Sequence, residues 1–267
     1  MAPWQPGRLD QTDFHVDTST SHSLLWCATG KVAESGTRRR RNMYVGWNMK
    51  TSLVTISPDT SIFRARELMD QHKISHLPVT DGKAQLLGIV TDRDLKEAWA
   101  SPATTLSVHE LTYVLQKLTV AHIMTKAVIS ATPNMTIERA ARIMHDSRIG
   151  ALPVVKNDKL VGIITITDLM EVLLMALGMS DDTKRLSVLV VDRAEVLARI
   201  GRAMQSASVN ILSTLTVPLR GQRDIWQVIV RVTLTDYKTA VHALEENGMK
   251  VLTDYVEDLT PYLPVRV

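Results

Sequence analysis

The chain has 267 residues, a mass of 29.8 kDa, 45% hydrophobic residues and only 4% aromatic ones, which suits two or three domains with aliphatic, methionine-filled cores. Its single cysteine, Cys27, excludes an internal disulfide and a cysteine-rich zinc site; that usage fits a reducing compartment, and with no apolar run near the ~20 residues needed to cross a bilayer the expected location is the cytoplasm, away from membranes. The net charge is +3, but residues 1–42 hold six of the 31 Lys/Arg and four of the 28 Asp/Glu, leaving 25 against 24, so the body has no basic footprint for nucleic acid.

Residues 1–42 are rich in Ser, Thr, Gly and Pro and lack helical or strand periodicity. They read as a disordered or loosely attached tail. The run Arg38 to Arg41 reads first as a solvated linker and second as a contact for nucleic acid or an acidic partner.

From Met43 onward an internal repeat governs the chain. Shifted by 75 positions, Met49, Pro58, Ile62, Arg64, Ala65, Met69, Ile74, Leu77, Pro78 and Val79 recur as Met124, Pro133, Ile137, Arg139, Ala140, Met144, Ile149, Leu152, Pro153 and Val154. After one deletion, Gly88, Thr91, Asp94 and Leu95 meet Gly162, Thr165, Asp168 and Leu169. Each copy reads as strand, helix, strand, strand, helix. LVTI and AVIS are short β-rich runs closed by Pro58 and Pro133. Thr60 or Ser61, and Thr136, cap the next helix. That helix sets Ile62, Ala65 and Met69 on one face, and Ile137, Ala140 and Met144 on its twin. HLPV and ALPV follow as strands, DGK and KND as turns, and LLGIV and LVGII as buried strands leading into a second helix. The expected units are 43–101 and 122–178, joined by a connector over 102–121.

A polar linker, GMSDDTK (178–184), precedes a unit of different order over 185–259. There RLSVLVVD is strand-like, AEVLARIGRAMQ carries Val196, Ile200 and Met204 at helical spacing, and NILSTLTV and WQVIVRVTL are strands. DYKTAVHALEENG is a helix stopped by Gly248, and KVLTDYV is a final strand. The pattern βαββαβ is ferredoxin-like, and the fold class is α/β throughout.

The repeated close, Gly-h-x-Thr-x-x-Asp, puts Thr91 and Thr165 where a buried strand hands over to a helix. Free N–H groups and the helix dipole favour a phosphate there. One turn on, Asp94 or Asp168 is placed to accept both hydroxyls of a ribose. The same spacing also makes a capping box, which needs no ligand.

These motifs carry a resemblance. The start strand, the Ile-x-x-Leu-Pro-Val strand and the Gly-h-x-Thr-x-x-Asp close resemble a cystathionine-β-synthase (CBS) domain. Two in tandem resemble a Bateman module, which in that family usually binds adenosine compounds such as AMP, ADP or ATP. The stretch SPATTLSVHELTYVLQKLTVAHIM resembles the acetoin-utilization (AcuB) type, which adds a C-terminal ACT domain. The resemblance implies two clefts. One would join Ile89, Thr91, Arg93 and Asp94 to Ile129, Gly150 and Ala151. The other would join Ile163, Thr165 and Asp168 to Thr51, Ile74, Ser75 and His76. Arg93 offers a fork of donors where the second copy has Thr167, and His76 adds a ring where the second copy has Ala151. Amino-acid-binding ACT domains carry Asp-x-Pro-Gly, whereas this chain has Asp192-Arg193-Ala194-Glu195. A dimer-forming role for that unit is expected instead.

Catalytic and metal motifs are lacking. There is no His-Glu-x-x-His and no Cys-x-x-Cys, and Gly30-Lys31-Val32 is no P-loop. His72 and His76 do not share a helical face, and His145-Asp146 reads as helix surface. The expected function is a non-enzymatic regulator, a homodimer that senses an adenine nucleotide and acts on a partner of unspecified identity. A scaffold with vestigial clefts and an amino-acid sensor working through the ACT-like unit are the alternatives.

Overall fold

The computed structural model describes residues 43–100, 118–191, 193–222 and 224–264, without the side chains of Ala100, Arg193 and Ala194. The tail expected over 1–42, most of the 102–121 connector and Asp192 lie outside the described residues.

Two repeats come first. Each opens with a helical turn, α1 (Val45–Asn48) and, in the second copy, α4 (Val120–Ile123). The first copy continues with α2 (Ile62–His72), β1 (His76–Thr80), β2 (Leu86–Thr91) and α3 (Asp92–Ala100). The second continues with α5 (Ile137–Ser147), β3 (Ala151–Lys156), β4 (Lys159–Thr165) and α6 (Ile166–Ala176). The caps fall on Ser61 and Thr136, whose hydroxyls accept the backbone N–H of Arg64 and Arg139. Helical spacing buries Ile62, Ala65 and Met69, and Ile137, Ala140 and Met144, as expected.

The opening strands differ from expectation. LVTI and AVIS are not strands; one bridge forms at the last residue of the first stretch and one at the residue just after the second. Ile56 makes a single parallel bridge to Val79, and Ala131 one to Val154. Ile56 donates to the Pro78 carbonyl (3.2 Å) and accepts from the Thr80 N–H (2.9 Å); Ala131 does the same with Pro153 and Val155, both at 2.9 Å. The next rung back needs the N–H of Pro78 or Pro153, and proline has none. The ladder therefore stops after one rung.

The two repeats exchange their leaders. Val120 is buried in the first repeat's core with Ile62, Leu77, Val79, Val90 and Leu95. Val45 is buried in the second's, with Ile137, Leu152, Val154, Ile164 and Leu169. Main-chain bonds fix the exchange: Val45 N–H to the Met135 carbonyl and Val120 N–H to the Thr60 carbonyl, both 2.8 Å. The leaders end on matching bridges, Lys50 to Ile163 and Thr125 to Ile89.

The C-terminal unit contains β5 (Thr183–Val190), α7 (Arg193–Ser206), β6 (Ser213–Pro218), β7 (Trp226–Thr233), α8 (Tyr237–Glu246) and β8 (Val251–Leu252). The sheet runs β6-β7-β5-β8, every pair antiparallel, so the expected βαββαβ order is realised with the strand arrangement of a ferredoxin-like fold. Val196, Ile200 and Met204 of α7 and Ala240 and Leu244 of α8 pack on Leu186, Val188, Val190, Val228 and Val230. Two elements depart from expectation. β5 already starts inside the polar linker, at Thr183. KVLTDYV pairs only at Val251 and Leu252, because the chain then leaves the sheet and buries Val256, Leu259 and Tyr262 against Leu189, Ile225 and Leu252. Gly248, at φ +74°, ends α8 as expected. The end of α6 is tied to this unit by Ser213 Oγ, which donates to the carbonyl of its C-cap, Leu177, at 2.6 Å.

Candidate functional site

The site is built where β2 hands over to α3. Thr91 and Asp94 form a closed local network. The Thr91 N–H and Oγ1–H both donate to Asp94 Oδ2, at 2.7 and 2.8 Å, and the Asp94 N–H returns to Thr91 Oγ1 at 3.3 Å. The second repeat repeats this at Thr165 and Asp168, with 2.8, 2.6 and 3.3 Å. Both are capping boxes in geometry. In each, one carboxylate oxygen is spent on the cap, and the other decides what else the carboxylate does.

Around the first box lies a cavity of about 470 Å³. Ile89, Thr91, Arg93 and Asp94 line it from the first repeat, and Ile129, Gly150 and Ala151 from the second. The cavity thus gathers all seven residues expected to share that cleft. Ser75 and His76 line this cavity too, although they were expected on the other cleft. The cause is register. His76 stands opposite Thr91 in the β1–β2 pair, and Asp92 N–H donates to the Ser75 carbonyl at 3.0 Å. The His76 ring then lies over Gly150, with Nε2 3.1 Å from where a β-carbon would stand; a larger residue there would have to push the ring back.

The remaining expected residues sit apart. Ile74 packs against the first core, and Thr51 is exposed. Ile163 is buried and exchanges main-chain bonds with Lys50, at 2.8 and 3.0 Å. Lys50 also places its Nζ 3.1 Å from Asp168 Oδ1.

Chemically the cavity divides in three. Ile89, Val128, Ile129, Ala151 and Pro153 give an apolar wall suited to a flat ring. Ile129 N–H and C=O have no backbone partner among the described residues; for the C=O, the missing N–H of Pro153 is the reason. Asp94 supplies the carboxylate. Arg93 and Arg148 supply cationic heads. Arg93 is already engaged, donating to Glu97 at 2.8 Å, and this bond with the Glu97 charge raises its pKa further. Arg148 has no ion pair among the described residues. It occupies the left-handed C-cap of α5, at φ +54°. Burial lowers the His76 pKa from its ordinary value, partly opposed by the charge of Asp94.

Sequence reasoning missed Arg148, Thr125 and Lys50. Arg148 had a detectable signal, since it sits at the end of the helix that feeds Gly150. Thr125 and Lys50 had none, because only the leader exchange brings them to the clefts. Among the described residues no three His, Cys, Asp or Glu side chains group to hold a metal, and no helix is long and apolar enough to cross a membrane.

The family model for the CBS domain matches twice, at residues 45–101 and 120–175. The chain is 33% identical over 121 residues to the CBS domain-containing protein YhcV of Bacillus subtilis, covering 45% of this chain and 79% of that one. It is 32% identical over 157 residues to a homoserine O-acetyltransferase of Methanosalsum zhilinae, spanning 58% of this chain but only 29% of that enzyme. Among solved structures it is similar to CBSX2 in complex with AMP, at 29% identity and TM-score 0.43, covering 50% of this chain and 98% of that one. It is also similar to a putative acetoin utilization protein (AcuB) from Vibrio cholerae, at 30% identity and TM-score 0.43, covering 51% and 93%. The double match and the coverage of YhcV place the shared region in the two repeats, and the chain belongs to the CBS-domain family as a tandem CBS pair.

Proposed function

We propose that the protein is a non-catalytic regulator that binds an adenine nucleotide in the cleft at Thr91 and Asp94. One observation carries this reading: two repeats converge on one cavity whose lining holds an apolar wall, a carboxylate and an arginine without an ion pair among the described residues. These three suit base, ribose and phosphate. The wall takes the purine, and Ile129 N–H and C=O match the ring nitrogen and amino group of adenine. The outer oxygen of Asp94 accepts the ribose hydroxyls. Arg148, with Arg93 after it leaves Glu97, takes the phosphate.

The C-terminal unit is read as an ACT-type module that helps to form a homodimer. Its βαββαβ order and one-sided helical cover support this, as does the resemblance to the acetoin-utilization type. A further support for self-association is the row Ile166, Met170 and Leu174 along α6, each more than a third exposed. Occupancy of the cleft would shift the pair against this module and so act on a cytoplasmic partner. The size of the effect is bounded by the ligand's differential affinity for the two states.

Calorimetry on the full chain with AMP, ADP, ATP and S-adenosylmethionine tests the reading. At least one should bind, and light scattering should give a dimer mass. Silence with all four at millimolar ligand favours a scaffold in which the two Asp residues serve only as helix caps.

A further inference from the structure

We propose that Lys50 keeps the second cleft closed to nucleotide, so that each chain takes one adenosine ligand and not two. This rests on the nucleotide reading of the first cleft and adds its stoichiometry and the residue that sets it.

The two boxes match in their inner oxygen. Asp94 Oδ2 and Asp168 Oδ2 each accept a threonine N–H and hydroxyl at 2.6–2.8 Å. They differ in the outer one. Asp168 Oδ1 is bound by the Lys50 ammonium at 3.1 Å, and the Asp168 side chain is only 13% exposed. Asp94 has no cation within ion-pair distance among the described residues.

The difference traces to the exchanged leaders. Residue 50 bridges Ile163, and residue 125 bridges Ile89. The main chain is therefore the same at both clefts, and only the side chain changes. Where the first cleft has Thr125 in its lining, the second has a lysine whose backbone is pinned on both sides by Ile163. From that anchor its ammonium reaches the oxygen that a ribose needs. A carboxylate with one oxygen on the cap and the other on an ammonium has lost its best acceptor positions for two hydroxyls. Asp168 is shielded from solvent while the Lys50 side chain is 61% exposed, so the pair is screened on the lysine side only. Met49 and Met124 fill matching places against Gly162 and Gly88, so Lys50, and not the methionines, distinguishes the clefts.

Equilibrium dialysis of labelled AMP and ATP against the full chain tests this. Wild type should bind one nucleotide per chain. Lys50→Thr, which copies the first cleft, should bind two, and Lys50→Met, which keeps the aliphatic stem, should do the same if Lys50→Thr proves unstable by its melting curve. Lys50→Thr combined with Asp94→Ala should return to one, now held at the second cleft. Two nucleotides bound by wild type, or one by both lysine variants when folded, overturn the role of Lys50 and leave the nucleotide reading standing. No binding of either nucleotide by any of these proteins overturns both.

Discussion

The sulfur of Met124 sits 2.6 Å from the point where a β-carbon on Gly88 would stand. The main-chain carbonyl of Thr125 is 3.1 Å from the same point. A methyl group there must displace the methionine and crowd a backbone atom. Gly88→Ala should therefore lower stability by about 1–3 kcal/mol, as should Gly162→Ala against Met49 and the Lys50 carbonyl. Gly201→Ala is the contrast, since nothing lies within 4 Å of its added carbon. In the interior of α7 it should raise stability by about 0.5–1 kcal/mol. Urea denaturation read at the three positions checks the ordering, and equal midpoints would refute it.

Asp94 has two jobs that separate by substitution. Asp94→Asn keeps an oxygen to accept the Thr91 N–H, so the cap largely survives. It loses the charge that strengthens bonds to the ribose. Affinity for AMP should fall about ten- to a hundredfold, the equivalent of roughly 1.5–3 kcal/mol, with a melting temperature near that of wild type. Thr91→Val removes the hydroxyl of the cap and should instead cost stability, by about 1 kcal/mol. Calorimetry and thermal melts on the same samples distinguish the two. An Asp94→Asn protein with unchanged affinity would show that the box is only a cap.

Arg148 should matter more than Arg93. Arg93 is 86% exposed in its side chain and tied to Glu97, whereas Arg148 has no ion pair among the described residues. Arg148→Ala should weaken AMP by about tenfold, close to 1.4 kcal/mol, and leave adenosine nearly unchanged. The AMP affinity of wild type should also fall with added salt more steeply than that of the variant. Equal losses for AMP and adenosine would remove the arginine from the phosphate position.

His76 gives the fold a pH dependence. Its folded pKa lies below the ordinary value of 6.5, because burial disfavours the charged ring. Above 6.5 the ring is neutral in both states and its contribution is complete. As pH falls below 6.5 the unfolded chain takes up a proton that the folded one resists, so stability declines until the folded pKa is passed. Melting temperatures at pH 7.5 and 5.5 should differ less in His76→Gln than in wild type. An unchanged difference would place the pH sensitivity elsewhere.

The amphipathic helices were legible because helical period is local. Ile62, Ala65 and Met69 announce their face within eight residues, and Val196, Ile200 and Met204 within nine. The strand–turn–strand pieces were legible for the same reason, and the duplication pointed to Thr91 and Asp94. What stayed hidden depends on partners far apart in the chain. Val45 and Val120 look like ordinary apolar residues, and nothing in their neighbourhood reveals that each fills the core of the other repeat. The assignment of Ser75 and His76 to the wrong cleft has the same origin, since it turns on their register beside Thr91 and on the space above Gly150. LVTI has strand composition, but its pairing is limited by a missing donor at Pro78, on a different segment.

Pro153 has a consequence beyond ending a ladder. By withholding one N–H it leaves the carbonyl of Ile129, a residue that lines the cavity, without a backbone partner among the described residues. Recognition that uses such atoms is indifferent to the side chains of residues 127–130. Under the adenine reading, exchanging Val128 or Ile129 for other apolar residues changes how tightly a ring is held but not which ring is preferred. Restoring the donor, as in Pro153→Ala, would let the protein pair with itself at the place where it otherwise pairs with its ligand.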